Sequence, residues 1–275
     1  MSTAHAAFAV NLYSYTLEYT AREALQRLAG RGYTEFELMM YPGHLWPADC
    51  DAAARRDLRR YLESNGLSAT TLNMPNIDLN VAGAAVEMRA YTMGLLRGVV
   101  ELAGDLGVPG VVIGPGKANP LLPAPTERLM GHFYKALDEL EPLARKVGTA
   151  LYVENMPFAF LPGIDALCDA LDRYGNDRIG IVYDVANAHF INEDIAAGIR
   201  RCKRRMKVVH LSDTGQNVYR HDAVGLGTLD FVSIPPVLAE VGFTRKPVLE
   251  IIAAQGDQAI DDSVRRLVAM GWRGA

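Results

Sequence analysis

The sequence predicts an α/β protein built as a single (β/α)8 barrel, and three observations carry that expectation. Eight short apolar, β-prone segments recur at 8–15, 34–39, 69–73, 110–113, 150–154, 179–184, 206–211 and 247–252. Between them, apolar residues return at three- and four-residue spacing, as in Ile164, Leu167, Leu171 and Tyr174, or Met93, Leu96, Val100 and Ala103, which is the period of an amphipathic helix. The third observation is length. At 275 residues the chain is the size of one such barrel, about 250 residues, and with no linker or composition break, residues 1–275 read as one domain.

Each segment supports this reading in turn. The first runs into Asn11-Leu-Tyr-Ser-Tyr-Thr16, which contains no glycine, whereas an open doubly wound sheet would carry a glycine-rich phosphate loop there. Gly30, Gly107, Gly148 and Gly175 follow the ends of helical stretches, where a residue able to adopt positive φ stops a helix. The proline-rich stretch 115–125, after the fourth segment, reads as a long loop. The last four segments end alike: Leu-Tyr-Val-Glu154, Ile-Val-Tyr-Asp184, Val-Val-His210 and Val-Leu-Glu250, at intervals of 30, 26 and 40 residues. Such intervals hold one strand, a crossover helix and the return, so parallel strands deliver all four side chains to one end of the sheet.

Composition removes several classes of function. The formal charge of −4 and the pI near 5.9 supply no basic stripe for a nucleic acid. Cys50, Cys168 and Cys202 have no short pair spacing, which argues against a disulfide framework and a cysteine zinc site. No apolar run approaches the roughly 18 residues of a membrane span, and Met-Ser-Thr-Ala-His does not start a signal peptide. A cytoplasmic protein with a small-molecule partner is expected, with no nucleic acid and no membrane; a homo-oligomer is left open.

A strand-terminal acid is ordinarily a solvated group. Four metal-capable residues in phase read differently, because the C-terminal ends of barrel strands are where active sites form. Three carboxylates and one imidazole suit one hard or borderline divalent ion, Mn2+ first and Mg2+, Co2+ or Zn2+ as alternatives.

Val-Glu154-Asn155, Tyr-Asp184-Val-Ala-Asn187, His210-Leu-Ser-Asp213 and Val-Leu-Glu250, with Arg220-His221 ahead of Gly225-Leu-Gly227-Thr-Leu-Asp230-Phe231, resemble the xylose isomerase-like TIM barrel superfamily over nearly the whole chain. That superfamily includes ketose 3-epimerases, inosose isomerases and dehydratases, and metal-dependent apurinic endonucleases. The resemblance implies that Glu154, Asp184, His210 and Glu250 hold one divalent metal, which binds two adjacent oxygens of a hydroxy-ketone and stabilises an enediolate. It also implies that Glu154 and Glu250 act as the acid/base pair from opposite sides of the reacting carbon. His221, in the loop after the seventh strand, matches a histidine that helps bind substrate or a second ion and is expected here to contact substrate, and the Arg220 guanidinium is expected to hold a substrate hydroxyl or carboxylate.

Departures from the superfamily pattern narrow the expectation. Asn187 stands where many members have histidine, with His189 two residues on, and an amide there is expected to donate to a substrate hydroxyl. The endonuclease branch builds a multi-metal cluster with histidines at positions that here are Asn73 and Gly114, and with an aspartate where this chain has Tyr219, so DNA repair is disfavoured. Tyr13, Tyr15, Glu37, Met39, His44, Trp46 and Asn73 are candidate pocket walls, with Tyr13 and the sugar-stacking face of Trp46 the preferred substrate contacts. No basic, glycine-rich phosphate cradle marks the last two strands. The expected activity is an isomerase or epimerase of an unphosphorylated keto-sugar or keto-inositol. A dehydratase or C-glycoside-cleaving lyase, or a non-catalytic sugar-binding barrel, are the alternatives.

Overall fold

The computed structural model describes residues 4–75 and 78–273; Met1–Thr3, part of the segment used in the localisation reading, lie outside the described residues. The strands are β1 (Ala9–Asn11), β2 (Glu35–Met39), β3 (Ser68–Asn73), β4 (Gly110–Ile113), β5 (Ala150–Glu154), β6 (Gly180–Asp184), β7 (Met206–Leu211) and β8 (Val248–Leu249). They pair in chain order, all parallel, and the barrel closes where Ala9 and Val10 of β1 pair with Val248 and Leu249 of β8. The crossovers carry α1 (Ala21–Ala29), α2 (Ala52–Ser64), α3 (Val86–Leu106), α4 (Thr126–Val147), α5 (Ile164–Tyr174), α6 (Val185–Phe190) with α7 (Ile195–Cys202), and α8 (Ile234–Glu240). Helix α9 (Gly256–Ala269) follows the last strand. This is the (β/α)8 TIM barrel that the sequence predicts.

Local signals set the helix limits. Thr20 and Glu23 form a reciprocal capping box at the start of α1, and Asp51 and Asp194 cap α2 and α7. Gly107, Gly148 and Gly175 end α3, α4 and α5 at φ of 71°, 85° and 80°. Gly30 does not take this role: its φ is −60°, and the left-handed turn falls on Gly32 at 98°. The chain continues one more turn past α1, and Tyr33 N–H returns to Leu28 O to close it. The 115–125 stretch runs outside regular structure between β4 and α4.

Side chains alternate across each strand, and the alternation sorts them into two populations. Val10, Phe36, Leu72, Val111, Leu151, Ile181, Val209 and Leu249 face the helices. Ala9, Val112, Tyr152, Val182, Val208 and Val248 fill the lumen. Tyr152 fits only because glycines flank it. A Cβ on Gly110 would overlap its ring, and one on Gly180 would approach it to 2.7 Å. One residue-pair further along each strand, the lumen turns from apolar to polar, where Asn11, Glu37, Thr71, Glu154, Asp184, His210 and Glu250 are all buried. Among the described residues no helix is long and apolar enough to cross a membrane, and the three cysteines are free.

Candidate metal centre and active site

The polar layer is assembled by strand register. Asp184 and His210 are paired across β6 and β7, while Glu154 ends β5 and Glu250 follows β8 with its N–H donating to Leu211 O. One atom from each of Glu154, Asp184, His210 and Glu250 lies within 4.8 Å of the other three, and all four residues are buried. His210 Nδ1 stands 3.4 Å from Glu154 Oε1, 3.6 Å from Asp184 Oδ2 and 3.1 Å from Glu250 Oε2.

Three of these atoms, Asp184 Oδ2, His210 Nδ1 and Glu250 Oε2, are buried without a hydrogen-bond partner. A buried polar atom left unmatched costs about 1–3 kcal/mol, more for a charged group. Three converging on one point form a donor set that a cation would satisfy. Ligand bonds of about 2.0–2.3 Å place donors on opposite sides of an ion roughly 4–4.6 Å apart, so the spacing fits with a small contraction. Three oxygens and one imidazole nitrogen match a hard or borderline divalent ion.

Neighbouring groups fix each donor. Asp184 Oδ1 caps α6 by accepting from Asn187 N–H at 2.7 Å, which leaves Oδ2 facing the centre. Asn155 clamps the Asp184 backbone, accepting from its N–H at 2.7 Å and donating to its carbonyl at 3.0 Å. His210 directs Nε2 at Glu37 Oε1, 3.1 Å away, so Nδ1 is the nitrogen left to face the other three donors. Glu37 also accepts from Asn11 at 2.5 Å, Thr71 at 2.5 Å and Asn73 at 3.1 Å. This is the carboxylate–histidine arrangement that orients metal ligands. The sequence marks Glu37 only as a possible wall; its partner is 173 residues away in the chain.

Burial and like charge separate the carboxylates. Burial pushes the Glu250 carboxyl well above the usual range, reinforced by Glu154 and Asp184 and opposed by His210. Glu154 rises for the same reasons, burial first. At Asp184 burial acts upward but is outweighed by the nearby His210 and His221 imidazoles, which hold it at about 2. Burial also opposes the charged form of His210, yet Glu37 and Glu250 keep it well above its ordinary value.

A cavity of about 340 Å³ opens over this layer, bordered by Tyr13, Glu154, Asn187, Tyr219, His221 and Glu250 among others. Asn187 directs its amide nitrogen at Asn155 O (2.8 Å) and Glu154 Oε1 (3.4 Å), so its Oδ1 accepts from Tyr219 at 2.6 Å. Its donors therefore go to protein rather than to a substrate hydroxyl. With the Tyr219 proton so engaged, His221 donates from Nε2 to the Tyr219 oxygen at 2.7 Å. His221 Nδ1 then accepts from Ser212 at 2.9 Å and lies 3.3 Å from Glu250 Oε2. Burial lowers the His221 pKa, keeping the ring neutral.

Other expected contacts sit elsewhere. Trp46 is half-buried against the helix-side core and does not border the cavity. Arg220 is largely exposed, 3.9 Å from Asp222, and does not border it either. His189 hydrogen-bonds Thr228. Asp213 shapes the loop that carries His221 by accepting from the N–H groups of Thr214, Gly225 and Leu229. A Cβ on Gly227 would overlap Asp213 and Thr214, so this glycine's close approach is to the loop's own anchor.

Residues 25–270 match the family model of the xylose isomerase-like TIM barrel. The chain belongs to that family. It is 24% identical over 177 residues to the uncharacterized protein MJ1311 of Methanocaldococcus jannaschii, a match covering 62% of this chain and 60% of that protein. Among solved structures, it superposes on 3-keto-D-glucoside 4-epimerase, YcjR, from E. coli with a TM-score of 0.78 at 18% identity, covering 96% of this chain and 99% of that one. It superposes on the IolI protein with a bound zinc atom with a TM-score of 0.80 at 18% identity, covering 96% and 97%. At these identities the likeness establishes the fold.

Proposed function

We propose that this xylose isomerase-like barrel is a divalent-metal-dependent isomerase or epimerase that moves a proton beside the carbonyl of an unphosphorylated keto-sugar or keto-inositol. The observation that carries the reading is the convergence of Asp184 Oδ2, His210 Nδ1 and Glu250 Oε2, buried and unpartnered, beside Glu154. Glu154, Asp184, His210 and Glu250 would hold the ion. When bound, it supplies Lewis acidity toward a carbonyl oxygen.

The chain's own groups supply the proton chemistry. Glu154 and Glu250 border the cavity from β5 and from the end of β8, three strands apart in the barrel order. A hydroxy-ketone between them presents opposite faces of its carbon to two carboxyls. One removes the carbon-bound proton and the other returns one, and raised carboxyl pKa values bring both nearer to the working pH. Tyr13 stays a neutral donor, because burial and then Glu250 raise its pKa. Neutral His221, locked by Tyr219 and Ser212, fixes the polar rim beside Glu250.

The test is a panel of unphosphorylated keto-sugars and keto-inositols incubated with Mn2+-loaded protein in D2O and followed by NMR. Deuterium entering beside the carbonyl without loss of a substituent supports the proposal, and Glu154→Gln or Glu250→Gln should each abolish it in a folded protein. Loss of water or of an aglycone would assign a lyase instead; tight binding with no exchange would make the chain a sugar-binding barrel.

A further inference from the structure

The walls of the cavity are chemically divided, and the division bears on the substrate. Residues from β6 to just past β8, namely Asn187, Tyr219, His221 and Glu250 with Ile252 beside them, make a mainly polar side. Across the mouth, the segment after β3, helix α3 and the segment after β5 contribute Leu79, Val81, Leu96, Met156 and Phe158. Leu79, Val81 and Leu96 border the cavity while buried at 6%, 5% and 1% exposure. The Phe158 ring stands edge-on to Tyr219 at 5.2 Å and 89°, which joins the apolar side to the polar rim.

Polar groups on the apolar side have other commitments. Asn73 donates to Glu37, and the Thr92 hydroxyl accepts from Asn80 N–H at 3.3 Å. Lys117 borders the same side. A free keto-hexose carries a hydroxyl on nearly every carbon, and each one pressed against leucine, valine or methionine without a partner costs about 1–3 kcal/mol. An aryl or alkyl group gains by burial there. Size agrees: an apolar cavity of about 150 Å³ accepts benzene, so about 340 Å³ holds such a ring with comparable room for a sugar.

Resting on the metal-centred reading above, we propose that the substrate is a hydroxy-ketone sugar bearing an apolar substituent, a glycoside with an aryl or alkyl aglycone. The sugar carbonyl faces Glu154 and Glu250, and the substituent lies against Leu79, Val81, Leu96, Met156 and Phe158.

The experiment is isothermal titration of the protein, with and without Mn2+, with methyl and phenyl 3-oxo-glucosides that differ only in aglycone. The phenyl compound should bind at least about tenfold more tightly, the ratio that about 1.4 kcal/mol represents. Val81→Thr and Met156→Gln, near-isosteric polar replacements, should each cut that ratio at least about threefold without weakening the methyl compound; two different wall positions guard against a misfolded variant. Equal affinities, tighter methyl binding, no binding of either compound, or a ratio unmoved by both variants would overturn the proposal. A phenyl preference retained in protein that takes up no Mn2+ would support the apolar subsite while overturning the metal-centred reading.

Discussion

Glu37→Gln is the sharpest test of the centre, because it changes one atom outside the ligand set. Glu37 receives only donors: Asn11, Thr71, Asn73 and His210 Nε2 all aim at its two oxygens. A glutamine must place an N–H against at least one of them. Thr71 can reverse its hydroxyl. If the amide keeps its oxygen toward Asn11 and Asn73, its nitrogen also faces His210 Nε2, which lies 3.3 Å from Glu37 Oε2. His210 Nε2 keeps an oxygen at 3.1 Å but loses the carboxylate charge that fixes its proton, so the imidazole tautomer protonated on Nδ1, where the ligand lone pair is needed, gains population. Losing a partner of this kind weakens metal affinity by about 10–100-fold, or roughly 1.4–2.7 kcal/mol. The assay is competition for Mn2+ or Zn2+ against a chelating dye, beside circular dichroism and a melt of metal-free protein. A purely packing role for Glu37 would lower the melting temperature yet leave the metal affinity of folded protein alone. An affinity within about threefold of the original chain, in a folded variant, would refute the reasoning.

Four further outcomes follow from the same geometry. The raised pKa values of His210 and Glu250 set protons in competition with an ion for these donors, so metal affinity should weaken as pH falls, by about tenfold per pH unit for each proton released, which metal titration at pH 6, 7 and 8 will measure. In metal-free protein, His210's raised pKa stabilises the fold fully below about 6.5, and this is lost as pH rises through its higher folded value; Glu250's raised pKa acts in the same direction from about 4.3 upward. Above about pH 6.5, where the lowered pKa values of His221, Asp184 and Glu37 no longer contribute a slope, the metal-free melting temperature should therefore fall with rising pH while the metal-induced increase in melting temperature grows. Gly110→Ala should cost at least about 1–3 kcal/mol in a denaturant melt, because the new methyl meets the Tyr152 ring inside a closed lumen. Tyr219→Phe should cost about 1–3 kcal/mol by stranding His221 Nε2 and Asn187 Oδ1, and should weaken keto-sugar binding more than metal binding when both are titrated.

Legibility in the sequence followed the range of the interaction. The strands carrying Glu154, Asp184 and His210 are readable because their apolar runs alternate faces within five or six residues, and β5 and β7 begin and end where the pattern predicts. At the first and last strands the apolar run outlasts the pairing. Strand β1 stops at Asn11 and turns into a 3-10 segment over Tyr13–Tyr15, while β8 keeps only Val248 and Leu249. Gly30 and Gly32 differ in role through a turn closed by Tyr33, which no single-residue preference reveals. Glu37 was hidden for a different reason. A lone acid between Phe36 and Leu38 signals burial, but its tie to His210 exists only once the barrel closes. Trp46 and Arg220 illustrate the converse: residue type suggested a substrate contact, and loop path sent both side chains elsewhere.

The groups around the proposed ion also argue for one ion rather than a cluster. A second divalent ion beside the first would need anionic or imidazole donors on the β6–β7 side, at the positions where this chain departs from the histidine of many members and the aspartate of the endonuclease branch. Asn187 and Tyr219 occupy those places, and neither offers a charge: the Asn187 amide is neutral, and burial followed by the nearby carboxylates drives the Tyr219 phenol far from ionisation. Both are already satisfied by each other and by His221. Moving Tyr219 aside to admit an ion would break two hydrogen bonds of 2.6 and 2.7 Å and its ring contacts with Phe158 and Phe190, each at 5.2 Å. The same neutral trio is well suited to a different task. It leaves the wall beside Glu250 polar yet uncharged, so the proposed proton transfer is influenced chiefly by the ion and the two glutamates rather than by a competing base.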